Sequence, residues 1–289
     1  MKVEKLYRLF IYVVLLVFTL SILVPILWVF VASLKQNSEF VGNPWTLPKS
    51  FYYQNFIDAF IKAKMGVYFM NSVIVTALSL FILVITAVPA AYVLARFEFK
   101  GAKLLKTFVK AGMFIDISYI VIPIFLILLK GDRALKGLQI IKSTFFLNSL
   151  VMLSIVYVSM ALPFTIYILT GFFETLSKSY EEAAYIDGAS YFTTMIKIMT
   201  PMAKPSIITV ILFNFLAFWN DYIIALTLMT GDKRTLPVGL LSLMASSREA
   251  ANYGVLYAGM VIAMLPILIL YMLLQSKITQ GMSLGGSKE

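Results

Sequence analysis

Two residue types that carry much of protein chemistry are missing from this 289-residue chain, which has no His and no Cys. Imidazole bases, thiol nucleophiles, disulfides, thiolate metal sites and histidine-linked haem are therefore excluded. What remains is a small set of carboxylates and amides in apolar surroundings. Asp116 and Asp221 are the single charges in the windows 111–129 and 205–231. An acid in such a place faces a water-filled cavity or a partner, or sits at an interface with the bilayer. Asp221 follows Pro205 by about 24 Å of helix, near the far end of its window, where it lines a path together with Trp219 and Asn220 or pairs with a loop cation. Asp116 lies about five residues inside its window, close enough to snorkel. Asn71, Asn148 and Asn214 are candidates for the same path, although helix–helix hydrogen bonding explains them equally well. A different kind of site is suggested by the charged cluster Glu181, Glu182 and Asp187 around Ala183 and Ala184. It suits docking of a partner, because alanines lack bulk and carboxylates supply charge.

These residues must be held by elements that the composition identifies. Apolar residues make up 61% of the chain and charged ones 13%, and the mean hydropathy is +0.90. One soluble core of this size cannot hide so much apolar surface. The chain reads as an all-α integral membrane bundle, a single transmembrane domain over 1–289, because hydrocarbon leaves only helices or closed barrels to satisfy the backbone. A span needs about 20 apolar residues, and six windows qualify, near 9–34, 68–95, 108–129, 145–172, 205–229 and 253–276. The first is too long for the apolar core of a cleaved signal. Pro25, Pro89, Pro123, Pro163 and Pro266 fall inside these windows, where each removes a donor and favours a kink.

Six spans put both termini on one side. With the N-terminus inside, 13 Lys and Arg fall on inner segments and 11 on outer ones. That is a weak preference, although the run Arg96, Lys100, Lys103 and Lys106 is dense. The net charge of +10 suits lipid headgroups and topology better than nucleic acid. No polar connection is long enough for a folded catalytic domain, and no G-x-x-x-x-G-K-[ST] phosphate loop occurs.

The connection 174–204 has the strongest local pattern. A short helix over 181–187 is expected to end at Gly188 in a left-handed conformation. A second, over 191–200, is expected to stop at Pro201 and Pro205. Glu182-Ala183-Ala184, then three residues to Gly188, then nine to Ile198 and Pro201, resembles the EAA loop of ABC importer permeases. Thr200 stands where that pattern usually has Leu, and Ser177 where a Pro often opens the loop. Further stretches are similar to the carbohydrate-uptake branch: Asn71 to Thr76, Ala90 to Phe97, Leu162-Pro163-Phe164, Phe218-Trp219-Asn220-Asp221, Leu236-Pro237-Val238-Gly239, and the ending from Gln275 through Gly281 and Met282 to Lys288. The shorter permease of maltose- and glycerol-phosphate-type importers is the nearest pattern.

The resemblance implies the type I importer fold and a permease without catalytic residues, ATP and Mg being bound by partners. Those partners would be a second, related permease, two ATP-binding subunits and an extracytoplasmic solute-binding protein that delivers a sugar or oligosaccharide. It implies a cytoplasmic membrane location with both termini and the EAA loop inside. Glu181, Glu182, Ala183, Ala184, Asp187, Gly188, Ile198 and Pro201 would couple to the ATPase. Gly281, Met282 and Lys288, in a tail too polar to fold alone, would insert between the ATPase subunits. The segment 231–254, with its apolar stretch 236–245, would reach the binding protein or pack on the second permease. Glycerol phosphate, a polyamine or a peptide is the alternative cargo. An ion-coupled carrier is a further alternative, and it would call for more intramembrane ionisable groups and repeated halves.

Overall fold

The computed structural model describes residues 2–286 except 42, 141–143 and 251; for 2–4, 248–250 and 274–286 it describes the backbone alone. Among the described residues every regular element is helical. The chain divides into two units, Met1–Val67 with Gly239–Pro266 and Tyr68–Val238 with Ile267–Glu289.

In the first unit, α1 (Lys2–Ser33) is a long apolar helix whose hydrophobic window has no buried residue. Its Thr19 and Ser21 hydroxyls donate back to the Leu15 and Phe18 carbonyls, as polar groups in hydrocarbon must. The segment after it is clamped by Lys35. This fully buried ammonium donates to the carbonyls of Pro44 and Thr46 beneath the rings of Trp28 and Phe40.

The second unit holds the connection 174–204 and both acids of the apolar windows, Asp116 and Asp221. Helix α2 (Met65–Arg96) crosses into it at Tyr68 and runs unbroken through Pro89. Then come α3 (Ala102–Gly112), α4 (Ile117–Gly137), α5 (Leu150–Thr175), α6 (Ser179–Ile186), α7 (Tyr191–Met202), α8 (Lys204–Asn220) and α9 (Ile223–Leu228). Like α2, α10 (Leu236–Ala250) and α11 (Tyr253–Gly286) have residues in both units. The core of this unit joins α2, α5, α7 and α8 through Leu83, Ala87, Tyr92, Leu153, Phe173, Met199 and Val210. Among the described residues four helices are long and apolar enough to cross a bilayer, and up to six spans result if each of two bent pairs, α3 with α4 and α7 with α8, counts as one.

Two of the expected windows are not single helices, and the second bent pair, α7 with α8, turns by 73°. The window 108–129 is not one helix: α3 ends at Gly112, the axis turns by 104°, and α4 begins at Ile117. Asp116 makes this break, since its carboxylate accepts the Ser118 N–H at 2.7 Å and caps α4. It is an exposed cap at the break between the two helices. Gly112 lets α3 approach α5 closely, because a Cβ there would lie 2.9 Å from the Pro163 ring. At the other end α4 continues to Gly137 through Asp132, a buried carboxylate that accepts the N–H groups of Phe145, Phe146 and Leu147. The window 205–229 is also divided, into α8 and α9, at Asp221.

Two further expectations change. The backbone of α11 is helical to Gly286, so Gly281 and Met282 lie on a helix and not in an unfolded tail; Lys288 is outside the described residues. The apolar stretch 236–245 lies in α10 and is partly covered by its own chain, with Leu241 still 44% exposed. Leu236 and Val238 are fully buried, and a Cβ at Gly259 would meet Leu243 at 2.7 Å.

Candidate functional site: the 174–204 segment and an aromatic-lined cavity

Helix α6 ends as its sequence dictates. Gly188 has φ +80°, its N–H donates to the Tyr185 carbonyl, and the Ala189 N–H reaches back to the Ala184 carbonyl at 2.9 Å. That pair of bonds is the glycine-terminated helix end in which only a residue without Cβ is at ease. Ser190 then caps α7 by accepting the Thr193 N–H. Helix α7 does not stop at Pro201. It passes through the wide turn Met195–Met199, which keeps the proline ring clear of the carbonyl that a regular helix would place against it. Pro205 opens α8, where its missing N–H costs nothing.

The two faces of α6 differ. Glu182, Ala183, Ile186, Asp187 and Gly188 are exposed, and Ile186 is 86% exposed. Glu181 and Ala184 turn the other way and are buried. This corrects the expectation that Glu181 and Ala184 face a partner. The Glu181 carboxylate accepts the Tyr92 hydroxyl at 2.7 Å and lies 3.2 Å from Arg96 Nε, an ion-pair distance without hydrogen-bond alignment. Arg96 also donates to the Leu176 carbonyl at 2.8 Å. Tyr92 and Arg96 are one turn apart on α2, so one face of its last turn holds both the end of α5 and the inner side of α6. Around them Tyr92, Phe97, Phe173, Tyr185 and Tyr191 pack edge to face. Burial pushes the Tyr185 phenol above its ordinary value. Ile198 is half-buried against the core and supports α7 from within, whereas Pro201 is exposed.

The candidate path residues divide differently. A cavity of about 320 Å³ is lined by Tyr157, Phe164, Phe213, Asn214, Phe218 and Asp221 among others. Asp221 accepts the Tyr157 hydroxyl at 2.7 Å and the Ala225 N–H at 3.1 Å, which caps α9. Asn214 donates to Thr165 Oγ1 and to the Val210 carbonyl. The other four candidates do not converge there. Trp219 is buried against Phe215 and Phe69. Asn220 donates to the Leu216 carbonyl of its own helix. Asn71 donates to the carbonyls of Asp232 and Arg234. Asn148, with φ +57°, accepts the Thr230 N–H. Asn71 and Asn148 are joints between segments. Conversely, the sequence does not single out Tyr157 or Asp132, and it gives Tyr92 and Arg96 no role beyond the family-like stretch 90–97 and, for Arg96, a basic run. The i, i+4 spacing of Tyr92 and Arg96 at the end of an apolar span was the signal available for that pair.

Among the described residues no group of three or more acids could hold a metal ion. Residues 87–284 match the family of binding-protein-dependent transport system inner membrane components. The chain belongs to that family. It is a multi-pass permease of an ABC importer, a membrane subunit without a catalytic role of its own. The permease is 34% identical to the diacetylchitobiose uptake system permease protein NgcG of Streptomyces coelicolor, over 94% of this chain and 86% of that one. It is 30% identical to the trehalose/maltose transport system permease protein MalG of Thermococcus litoralis, over 100% and 99% of the two chains. In fold it is similar to a bacterial ABC transporter involved in import of the acidic polysaccharide alginate, with TM-score 0.79 and 22% identity over 96% of this chain and 98% of the other.

Proposed function

We propose that this permease carries a neutral sugar or short oligosaccharide, delivered by an extracytoplasmic solute-binding protein, through a path that includes the Tyr157–Asp221 cavity. ATP hydrolysis with Mg on two partner subunits drives the cycle through the exposed face of α6. The observation that carries this reading is the two-faced geometry of α6: Glu182, Ala183, Asp187 and the left-handed Gly188 point outward while Glu181 ties the helix to the bundle. A second, related permease covers the unburied face of α1. Both termini and α6 are cytoplasmic, and the last residues, Gly281, Met282 and Lys288 among them, approach the ATPases.

The cargo class rests on the cavity and on the relatives' names, which specify diacetylchitobiose and trehalose or maltose. Aromatic faces from Tyr157, Phe164, Phe213 and Phe218 suit the apolar faces of sugar rings, and Asn214 and Asp221 suit hydroxyls. Among the described residues no basic side chain lines the cavity, which disfavours glycerol phosphate and acidic saccharides.

A substitution at Gly188 tests the coupling reading. Nothing lies within 4 Å of a Cβ built at Gly188, so Gly188→Val strains only the turn, by about 1–2 kcal/mol. The variant complex should still copurify with its ATPase subunits, yet its uptake of radiolabelled diacetylchitobiose or maltose should fall at least tenfold. Normal uptake would remove α6 from the coupling role. Topology is tested separately, on a background that has no native Cys. Exposed single cysteines at Ser38 and Ser246 should react with an impermeant maleimide outside intact cells, and one at Ser179 should not. Labelling at Ser179 would invert the orientation.

A further inference from the structure

The bonds that hold α2 in the second unit are unevenly distributed. At one end, Asn71 donates to the Asp232 and Arg234 carbonyls at 2.8 and 2.9 Å, and Ser72 Oγ accepts the Leu236 N–H at 2.8 Å. At the other end Tyr92 meets Glu181 at 2.7 Å, and Arg96 meets the Leu176 carbonyl at 2.8 Å and Glu181 at 3.2 Å. Between the ends the side-chain bonds to α5 are long. Ser79 to the Ser154 carbonyl is 3.4 Å, Ser154 to the Val75 carbonyl 3.3 Å, and Thr170 to the Ala91 carbonyl 3.5 Å. The buried side of α2 between them includes the small or aliphatic residues Val75, Leu83, Ala87 and Ala91, which pack without a directional lock.

We propose that α2 is a strut clasped at both ends, with Asn71 and the Arg96–Glu181 pair as positioning residues that make the segment 231–236 and α6 move together. From Ser72 to Arg96 the helix spans about 36 Å, roughly the thickness of a bilayer. A buried ion pair is weak support for stability, because apolar residues of similar volume often serve as well. What the pair adds is one fixed angle between α2 and α6. A push on the outer face of α6 reaches Glu181 and passes to Arg96 and Tyr92. The helix carries it to Asn71, and the two carbonyls held there shift the 231–236 segment. The reverse path is open to a protein docking outside. This inference rests on the reading that α6 is the ATPase dock.

The test exploits the distance between the clasps. A cysteine replaces the exposed Lys233, and its labelling rate by an impermeant maleimide is followed in the complete importer in liposomes, with and without ATP and vanadate on the ATPase side. Trapping should change the wild-type rate about fivefold. The inner clasp is removed by the double change Arg96→Met with Glu181→Met, which leaves no unpaired charge. The outer clasp is removed by Asn71→Leu, whose freed carbonyls lie near solvent. Each variant should lose the response while keeping basal ATP hydrolysis within about twofold. Sites this far apart normally act independently, so independent effects would multiply when combined. A single strut predicts that the combined variant is no worse than either alone. If the inner double change prevents assembly, Tyr92→Phe replaces it and should halve the response or more. A wild-type response in either clasp variant, or multiplicative loss in the combination, overturns the strut. Absence of any response in the wild type, with no ATPase copurified, overturns the docking reading instead.

Discussion

Two tyrosine hydroxyls in this permease donate to carboxylates at the same distance of 2.7 Å, Tyr92 to Glu181 and Tyr157 to Asp221. Their surroundings set them apart. Glu181 has a guanidinium 3.2 Å away, and its side chain and that of Arg96 are 10% and 6% exposed. Asp221 forms no ion pair among the described residues. Backbone N–H groups at the start of α9, Ala225 among them, satisfy it instead, and it borders an open cavity. The first arrangement is a closed joint, with every strong acceptor site turned toward its own chain. The second keeps an acid at the edge of a space where a polar guest could bind. The same pair of groups thus closes a joint in one place and borders a cavity in the other, and the third partner decides which.

The comparison is broken most forcefully at Arg96. Arg96→Met alone leaves Glu181 buried with only a hydroxyl for company, and removing one partner of such a pair costs about 3–5 kcal/mol. The complex should assemble poorly and melt at a clearly lower temperature. Restoring neutrality with Glu181→Met should return most of that loss without restoring coupled transport. If the single change melts like the wild type, Glu181 is not the closed joint its burial indicates.

The difference between the two regions also explains what could be read from the sequence. The α6 turn is local. Glu182-Ala183-Ala184 and Gly188 lie within one short helix and its cap, so spacing alone specifies the left-handed glycine that the structure contains. Which way Glu181 points is not local, because it depends on Arg96 and Tyr92, more than eighty residues away in the chain. Polar residues inside apolar windows are harder still. Asn71, Asn148 and Asn214 look alike in sequence, yet two fasten loops and one reaches a cavity. Hydropathy located the apolar windows but did not locate the breaks at 113–116 and 221–222. There a single carboxylate caps the next helix, and averaging over a window hides a cap.

The smaller effects lie at Asp221 and sharpen the contrast. In Asp221→Asn the amide oxygen still accepts both the Tyr157 hydroxyl and the Ala225 N–H, so thermal stability should stay within about 1 kcal/mol of the wild type. What disappears is the negative charge facing the cavity. Hydrogen bonds to charged groups are worth about 1.5–3 kcal/mol, so uptake at limiting sugar should fall about tenfold or more. Tyr157→Phe removes one hydroxyl but leaves Asp221 capped by backbone and still charged, and should reduce uptake only severalfold. The expected pattern is therefore opposite to that at the closed joint: transport lost with the fold intact at Asp221, and fold lost first at Arg96. Assays of sugar uptake and melting on the same purified complexes separate the two. Wild-type uptake by Asp221→Asn would take the cavity off the translocation path and reduce Asp221 to the cap of α9.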